Sequence, residues 1–260
     1  MFSSIGQFSL SEMFKRLRRS MVKRYLLYRT SPYLPNANTA LIVAPHPDDE
    51  TFGCGGLIAL KLAQGAVVHV LILSRGEGGH RGCCTIREEV VAVERTRQAE
   101  HACAKLGLSK ANLHWLDFPD GNIKQGDCAK VTKIQALIDK VVPMEIYAPA
   151  PFDCWVDHER ACEIIKKIIS GHKNDISLYV YPIWMWYNLR LRDLGRLNGW
   201  HALNLDIRAV QATKREAMRY YLSEINLLCG TRWCGNLPEG FSRPFYDDFE
   251  IFFQQKEGVS

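Results

Sequence analysis

A chain of 260 residues with 47% hydrophobic content is long enough to bury one large core, and no internal repeat, low-complexity stretch or Pro/Gly-rich linker divides it. The net charge of +5 is concentrated in the first thirty residues, which argues against a nucleic-acid groove, and no run of about eighteen apolar residues is available to span a bilayer. Nine cysteines at 54, 83, 84, 103, 128, 154, 162, 229 and 234, an odd number without a Cys-x-x-Cys pair or a recognisable secretory leader, point to reduced thiols and a cytoplasmic setting.

The first predicted element is a basic amphipathic helix over residues 11–29. Lys15, Arg16, Arg18, Arg19, Lys23, Arg24 and Arg29 alternate there with Phe14, Leu17, Met21, Val22, Tyr25, Leu26 and Leu27. Residues 1–35 therefore read as an arm and residues 36–260 as a single domain. The arm can dock on that domain with its charges in water, or lie as a peripheral contact on an anionic membrane. Strand-like runs follow at 40–45, 67–73, 112–117, 145–149 and 176–182, with helical stretches at 57–64, 86–106, 130–141 and 158–170 between them. This alternation predicts the α/β class, a Rossmann-like three-layer α/β/α fold with a mostly parallel central sheet. Residues 181–187 pack four aromatics into seven positions, part core and part platform for a glycan or lipid. A further helix is expected over 207–228, with Lys214, Arg215 and Arg219 on polar positions. The aromatic tail from Pro238 through Phe245, Tyr246, Phe249 and Phe252 reads either as a cover for the site or as a subunit contact, which leaves an oligomer open.

The strand at 40–45 ends abruptly in His46-Pro47-Asp48-Asp49-Glu50, and open α/β sheets bind ligands just beyond the carboxyl ends of such strands. Three successive acids are costly without a cation. Gly53, Gly55 and Gly56 allow close backbone approach before Leu57 starts a helix. Because Zn²⁺ prefers imidazole nitrogen and carboxylate oxygen, His46 and Asp49 are a candidate ligand pair that leaves Asp48 free to act on water. The simpler reading is a solvated turn in which Asp48 or Asp49 caps the next helix. The loops at 74–80, 117–122 and 153–158 also follow strands and should converge with His46 at one sheet edge. Arg75, Arg81, Arg95 and Arg97 lie in or after the second loop, and their forked donors suit a phosphate or sugar hydroxyls.

The segment Ala44-Pro45-His46-Pro47-Asp48-Asp49-Glu50 resembles the signature of the PIG-L/LmbE-like family of zinc-dependent N-acetylglucosaminyl deacetylases. Ser74-Arg75-Gly76-Glu77-Gly78 is similar to the family's second-strand loop, and Arg97-Gln98-Ala99-Glu100 followed by Leu106-Gly107 to its Arg-x-x-Glu helix. Leu116 to Gly121 resembles the loop after the third strand, and Asp153 to Glu159 the segment carrying the distal zinc histidine. Together these span roughly residues 38 to 225. The resemblance implies that His46, Asp49 and His158 hold one Zn²⁺ per chain, with Asp48 as the general base; Fe²⁺ or Co²⁺ suits the same ligands. Asp157 and Glu159 are expected to orient the His158 ring, Arg97 to contact substrate, and Glu77 and Asp120 to line the surrounding loops. The implied activity is hydrolytic removal of the acetyl group from an N-acetylated amino sugar in a glycan, glycolipid or secondary-metabolite intermediate. Such an enzyme would work in the cytoplasm, at the inner face of the membrane if the arm lies there.

One position departs from the family. Where His-Pro-Asp-His is common, this chain has Trp155-Val156-Asp157-His158, and indole donates a weak N–H but never acts as an acid. His80, His201 and Asp153 are candidate substitutes, or Trp155 stacks on a sugar face. Two other functions fit the same ligands: a zinc amidase acting on another N-acyl substrate such as a thiol conjugate, and a pseudoenzyme that recognises a glycan without turning it over.

Overall fold

The computed structural model describes residues 10–82, 85–124, 126–188, 190–223, 237 and 240–256. Cys83, Cys84, Cys229, Cys234 and Pro238 lie outside the described residues, as do residues 224–228 of the expected late helix and the side chains of Phe14, Lys15, Arg16 and Arg19. In chain order the elements are α1 (Leu10–Tyr28), β1 (Ser31–Pro32), β2 (Ala40–Ala44), α2 (Asp49–Ala63), β3 (Val68–Ser74), α3 (Glu88–Lys105), β4 (Leu113–Phe118), α4 (Cys128–Val141) and β5 (Glu145–Pro149). They continue with α5 (Val156–Ser170), β6 (Ser177–Tyr181), α6 (Met185–Asn188), β7 (Trp200–Asp206), α7 (Gln211–Ser223) and β8 (Phe249–Gln255).

The strands form one sheet in the order β1-β7-β8-β6-β5-β2-β3-β4, parallel except where β8 pairs with β6 and β7. Both faces of its centre are covered, so β2 is an unbroken apolar run. Alternation assigns its side chains: Leu41 and Val43 pack with Ile134, Ile138, Ile164 and Ile165 of α4 and α5, while Ile42 and Ala44 pack with Leu57, Ala99 and Met218 of α2, α3 and α7. From β2 the chain winds outward through β3 and β4, then returns to lay β5 on the other side of β2. The carboxyl ends of β2 and β5 therefore meet at a topological switch point, where an open sheet leaves a crevice.

Three expectations change. Helix α2 begins at Asp49, not Leu57, so its glycines lie inside the helix. A Cβ on Gly53 would overlap the Tyr181 ring and one on Gly56 would overlap Ile207, so close packing offsets the roughly 1 kcal/mol that each interior glycine costs. Second, the aromatic tail divides: Phe241 lines the cleft described below, whereas Phe249 and Phe252 belong to β8, inside the sheet, with Phe252 fully buried. Third, Lys214 is not on a polar face but buried, its Nζ 2.7 Å from Glu250 Oε1 and 2.8 Å from the Phe52 carbonyl. Glu250 in turn accepts the Gly56 and Leu57 backbone N–H groups at 2.6 and 2.9 Å, tying β8 to α2. The described part of the arm takes the docked alternative, through Val22 and Leu26 of α1 in the same core and through β1, which pairs with β7.

Gly53→Ala forces its methyl into the Tyr181 ring, whose hydroxyl is fixed on the Val43 carbonyl at 2.7 Å. Urea unfolding of this variant should register a loss of about 1–3 kcal/mol in spite of the better helix propensity of alanine.

Candidate metal centre

Each candidate side chain comes from a loop at the carboxyl edge of the sheet. After β2 the chain turns through Pro45 to Pro47, and Asp48 caps α2 with φ 125°, a left-handed conformation rarely adopted by a residue with a Cβ. Two contacts over-determine it. The Asp48 N–H donates to Glu50 Oε2 at 3.0 Å, and Glu50 is itself held by Thr51 Oγ1 and by Tyr221 of α7, at 2.5 and 2.6 Å. Arg95 of α3 donates from Nη2 to Asp48 Oδ2 at 3.0 Å and also to the Pro47 carbonyl. Gly76, at φ 64°, leaves room for this guanidinium, which a Cβ there would overlap.

Asp49 Oδ2 lies 3.3 Å from His46 Nδ1 and 3.2 Å from His158 Nε2. Donor atoms of these three buried residues fall within 4.8 Å of one another. The far nitrogen of each imidazole rests on a further carboxylate: His158 Nδ1 is 2.7 Å from Asp153 Oδ2, and His46 Nε2 is 3.1 Å from Asp120 Oδ1 and 3.2 Å from Asp157 Oδ2. Those carboxylates are anchored in turn. Asp153 accepts the N–H groups of Ile183, Trp184 and Met185 at 2.7, 3.0 and 2.9 Å, and Asp157 accepts those of Gly121 and Ile123 at 2.8 and 3.1 Å. Glu77 Oε1 accepts the Asp120 N–H while Asp120 Oδ2 accepts the Gly78 N–H, both at 2.8 Å, which locks the loops after β3 and β4 together.

This donor set fits a divalent cation. His158 Nε2 is buried without a hydrogen-bond partner and faces a carboxylate oxygen, an arrangement that a shared cation completes. Two imidazoles and a carboxylate, each ring braced from behind by an acid, suit a first-row divalent ion and leave room for water or substrate. His46, Asp120 and Asp157 also cluster within 4.8 Å, but Asp157 is committed to two backbone N–H groups and Asp120 to one, so this second set acts as the brace.

Charge follows the packing. Burial pushes the Asp48 carboxyl up to about 7, against the pull of Arg95 and with the help of Asp49. Burial acts the same way on Asp49 but is outweighed by His158 and His46, which hold it below the usual carboxylate range. For the imidazoles burial opposes the proton, yet Asp49 and Asp153 raise His158 to about 9, and Asp120, Asp157 and Asp49 hold His46 well above its ordinary value.

His46, Asp48 and Asp49 open on a cleft of about 190 Å³ lined by Arg95, Asp120, Trp155, Trp184 and Phe241. Other expected residues lie elsewhere. Arg97 is on the opposite face of α3, exposed and paired with Glu94 at 2.6 Å, so Arg95 is the arginine that reaches the site. His201 begins β7, which runs parallel to β6, so it lies at the opposite edge of the sheet beside Tyr25, Trp200 and Lys256. Asp153 is fully buried with both oxygens engaged and cannot stand in for the missing histidine; it also takes the ring-orienting role expected of Asp157, which braces His46 instead. Glu159 pairs with Arg196 nearer the surface.

Residues 41–169 match the model of a known family, PIG-L, described as GlcNAc-PI de-N-acetylase. Over these residues the chain carries a PIG-L family domain. The chain is 32% identical over 109 residues to the probable N-acetyl-alpha-D-glucosaminyl L-malate deacetylase 2 of Bacillus cereus. That alignment takes in 41% of this chain and 49% of the relative, so the chain spans about half the length of the curated relative it matches. The N,N'-diacetylchitobiose deacetylase from Pyrococcus horikoshii superposes with a TM-score of 0.63 at 18% identity, covering 98% of this chain and 95% of that one. GalB, the 4-carboxy-2-hydroxymuconate hydratase from Pseudomonas putida KT2440, superposes with a TM-score of 0.62 at 19% identity, covering 86% and 100%. Likeness at that identity establishes the fold alone, and a fold shared by a deacetylase and a hydratase leaves the reaction to be argued from the PIG-L site itself.

Because the cation-free imidazoles hold protons that a metal must displace, affinity for a divalent ion should rise roughly tenfold or more per pH unit from about pH 6 to 8. The rise should slow above about 9, where His158 gives up its proton. Competition with a chelator at fixed ionic strength measures this slope.

Proposed function

We propose that this chain is a zinc-dependent hydrolase that removes the acetyl group from an N-acetylated amino sugar. The observation that carries this reading is the buried His46–Asp49–His158 group with Asp48 beside it at the floor of an open cleft. The family match and the names of the relatives agree with it. His46, Asp49 and His158 would hold the cation, which when bound supplies Lewis acidity that polarises an amide carbonyl and acidifies water.

The chain's own groups do the rest. Arg95 occupies Oδ2 of Asp48, which leaves Oδ1 to take a proton from the attacking water as its oxygen adds to the acetamide carbon. With its carboxyl pushed up to about 7, Asp48 can hold that proton and return it to the departing nitrogen. The C–N bond then breaks, and acetate and a free amine leave. Asp153, Asp157 and Asp120 keep both imidazoles aimed, and the cleft above them admits a sugar ring.

A second reading rests on Trp155, which stands where the family has a histidine. It makes the chain a metal-loaded glycan binder that releases no acetate. Asp48→Asn separates the readings: on the hydrolase reading kcat for acetate release falls about 10²–10⁴-fold while metal content by elemental analysis stays near one per chain. His158→Ala should lose metal and activity together. Full wild-type rate in metal-replete Asp48→Asn would overturn the assignment.

The same proposal includes a peripheral membrane contact through residues 11–29 on the cytoplasmic side. No helix among the described residues is long and apolar enough to cross a bilayer, but α1 turns Leu17, Met21, Tyr25 and Tyr28 outward, 57%, 50%, 43% and 92% exposed. Six Lys and Arg against one Glu within α1 suit an anionic surface. The full chain should co-sediment with phosphatidylcholine vesicles containing phosphatidylglycerol, release at high salt, and ignore pure phosphatidylcholine. A Leu17→Glu/Met21→Glu variant that sediments equally well would exclude α1 as the contact.

A further inference from the structure

Trp155 is the N-cap residue of α5, two positions ahead of Asp157 and three ahead of His158. Its indole stacks on Trp184 with ring centroids 4.4 Å apart and planes 12° from parallel, and Trp184 leans on Phe241 at 4.6 Å. Phe241 continues into Phe52 and Phe245 of the core at 6.0 and 5.6 Å, so the wall behind the indoles is rigid. Trp155 is 41% exposed, and with one face covered by Trp184 that exposure belongs to its other face and its edges, on the rim of the cleft that holds His46 and Asp48.

The register of this pair against the metal centre is fixed by one side chain. Asp153 Oδ2 touches His158 Nδ1 and accepts the backbone N–H of Trp184, while Trp155 enters α5 three residues before His158. The indole platform and the candidate ligand therefore move as one body. A large, flat, apolar surface held at a fixed offset from the reacting position is what a binding subsite needs, because it gains contact area without ordering a flexible side chain.

Resting on the deacetylase reading above, we infer that the Trp155–Trp184 stack is the subsite for the group attached beyond the reacting sugar, and that it selects substrates presenting a flat apolar face there. A second pyranose ring and an aryl aglycone share that chemistry. The position that carries a histidine elsewhere in the family thus serves in this chain to recognise substrate.

The experiment compares metal-loaded full-length wild type, Trp155→Ala and Trp155→Phe on free N-acetylglucosamine, its p-nitrophenyl glycoside and N,N'-diacetylchitobiose. Acetate release gives kcat and KM, and calorimetry gives binding independently of turnover. Wild type should favour one or both extended substrates over the free sugar by about tenfold, mainly through KM. Trp155→Ala should bring that ratio to about one, and Trp155→Phe should keep most of it. Preference for only the aryl glycoside or only the disaccharide identifies the natural neighbour. An unchanged ratio in Trp155→Ala, or no preference in wild type, overturns the inference. If no acetate is released at all, the hydrolase reading fails, and the calorimetric ratio between wild type and Trp155→Ala still decides the subsite.

Discussion

A single carboxylate oxygen, Asp49 Oδ2, lies between two imidazole nitrogens at 3.3 and 3.2 Å, and the loops around it are arranged to keep it there. Five acids and two histidines crowd the floor of the cleft, which folding tolerates only if opposite charges sit together and every carboxylate finds donors. Asp153 and Asp157 meet this demand with backbone N–H groups drawn from the segments after β6 and β4. Each loop that reaches the centre is thereby stitched to another. The cost of burying so much charge is offset by the same hydrogen bonds that aim the rings.

The sheet makes this possible by bringing β2 and β5 side by side although about a hundred residues separate them in the chain. Helix α2 starts on Asp49 itself, so the partial positive charge of its N-terminus lies beside the acids of the His46–Glu50 turn. The glycines of α2 let it lie against Tyr181, whose hydroxyl reaches back to β2. Packing at that helix and geometry at the candidate ligands are in this sense one problem.

Much of this was legible in the sequence where the signal is local. The string from His46 to Glu50 states its own chemistry, and the five parallel strands announce themselves as apolar runs. Arg95 was not separable from Arg97, because two residues along a helix rotate a side chain by about 200° and only the packed structure says which face looks inward. β8 read as a loose aromatic tail because its Glu250 looks like a surface acid until Lys214 is found beside it, across a separation that no periodicity encodes. The brace behind each imidazole escaped for the same reason. Asp153 is adjacent to the motif, yet its role depends on N–H groups thirty residues downstream.

The backbone at Asp48 has a consequence for how such a chain can drift. At φ 125° an aspartate pays a conformational penalty of about 1–3 kcal/mol that a glycine would not. Substitution there by glycine would relieve that strain and at the same time remove the carboxylate that Arg95 holds. Backbone ease and a carboxylate facing the cleft therefore pull this one position in opposite directions.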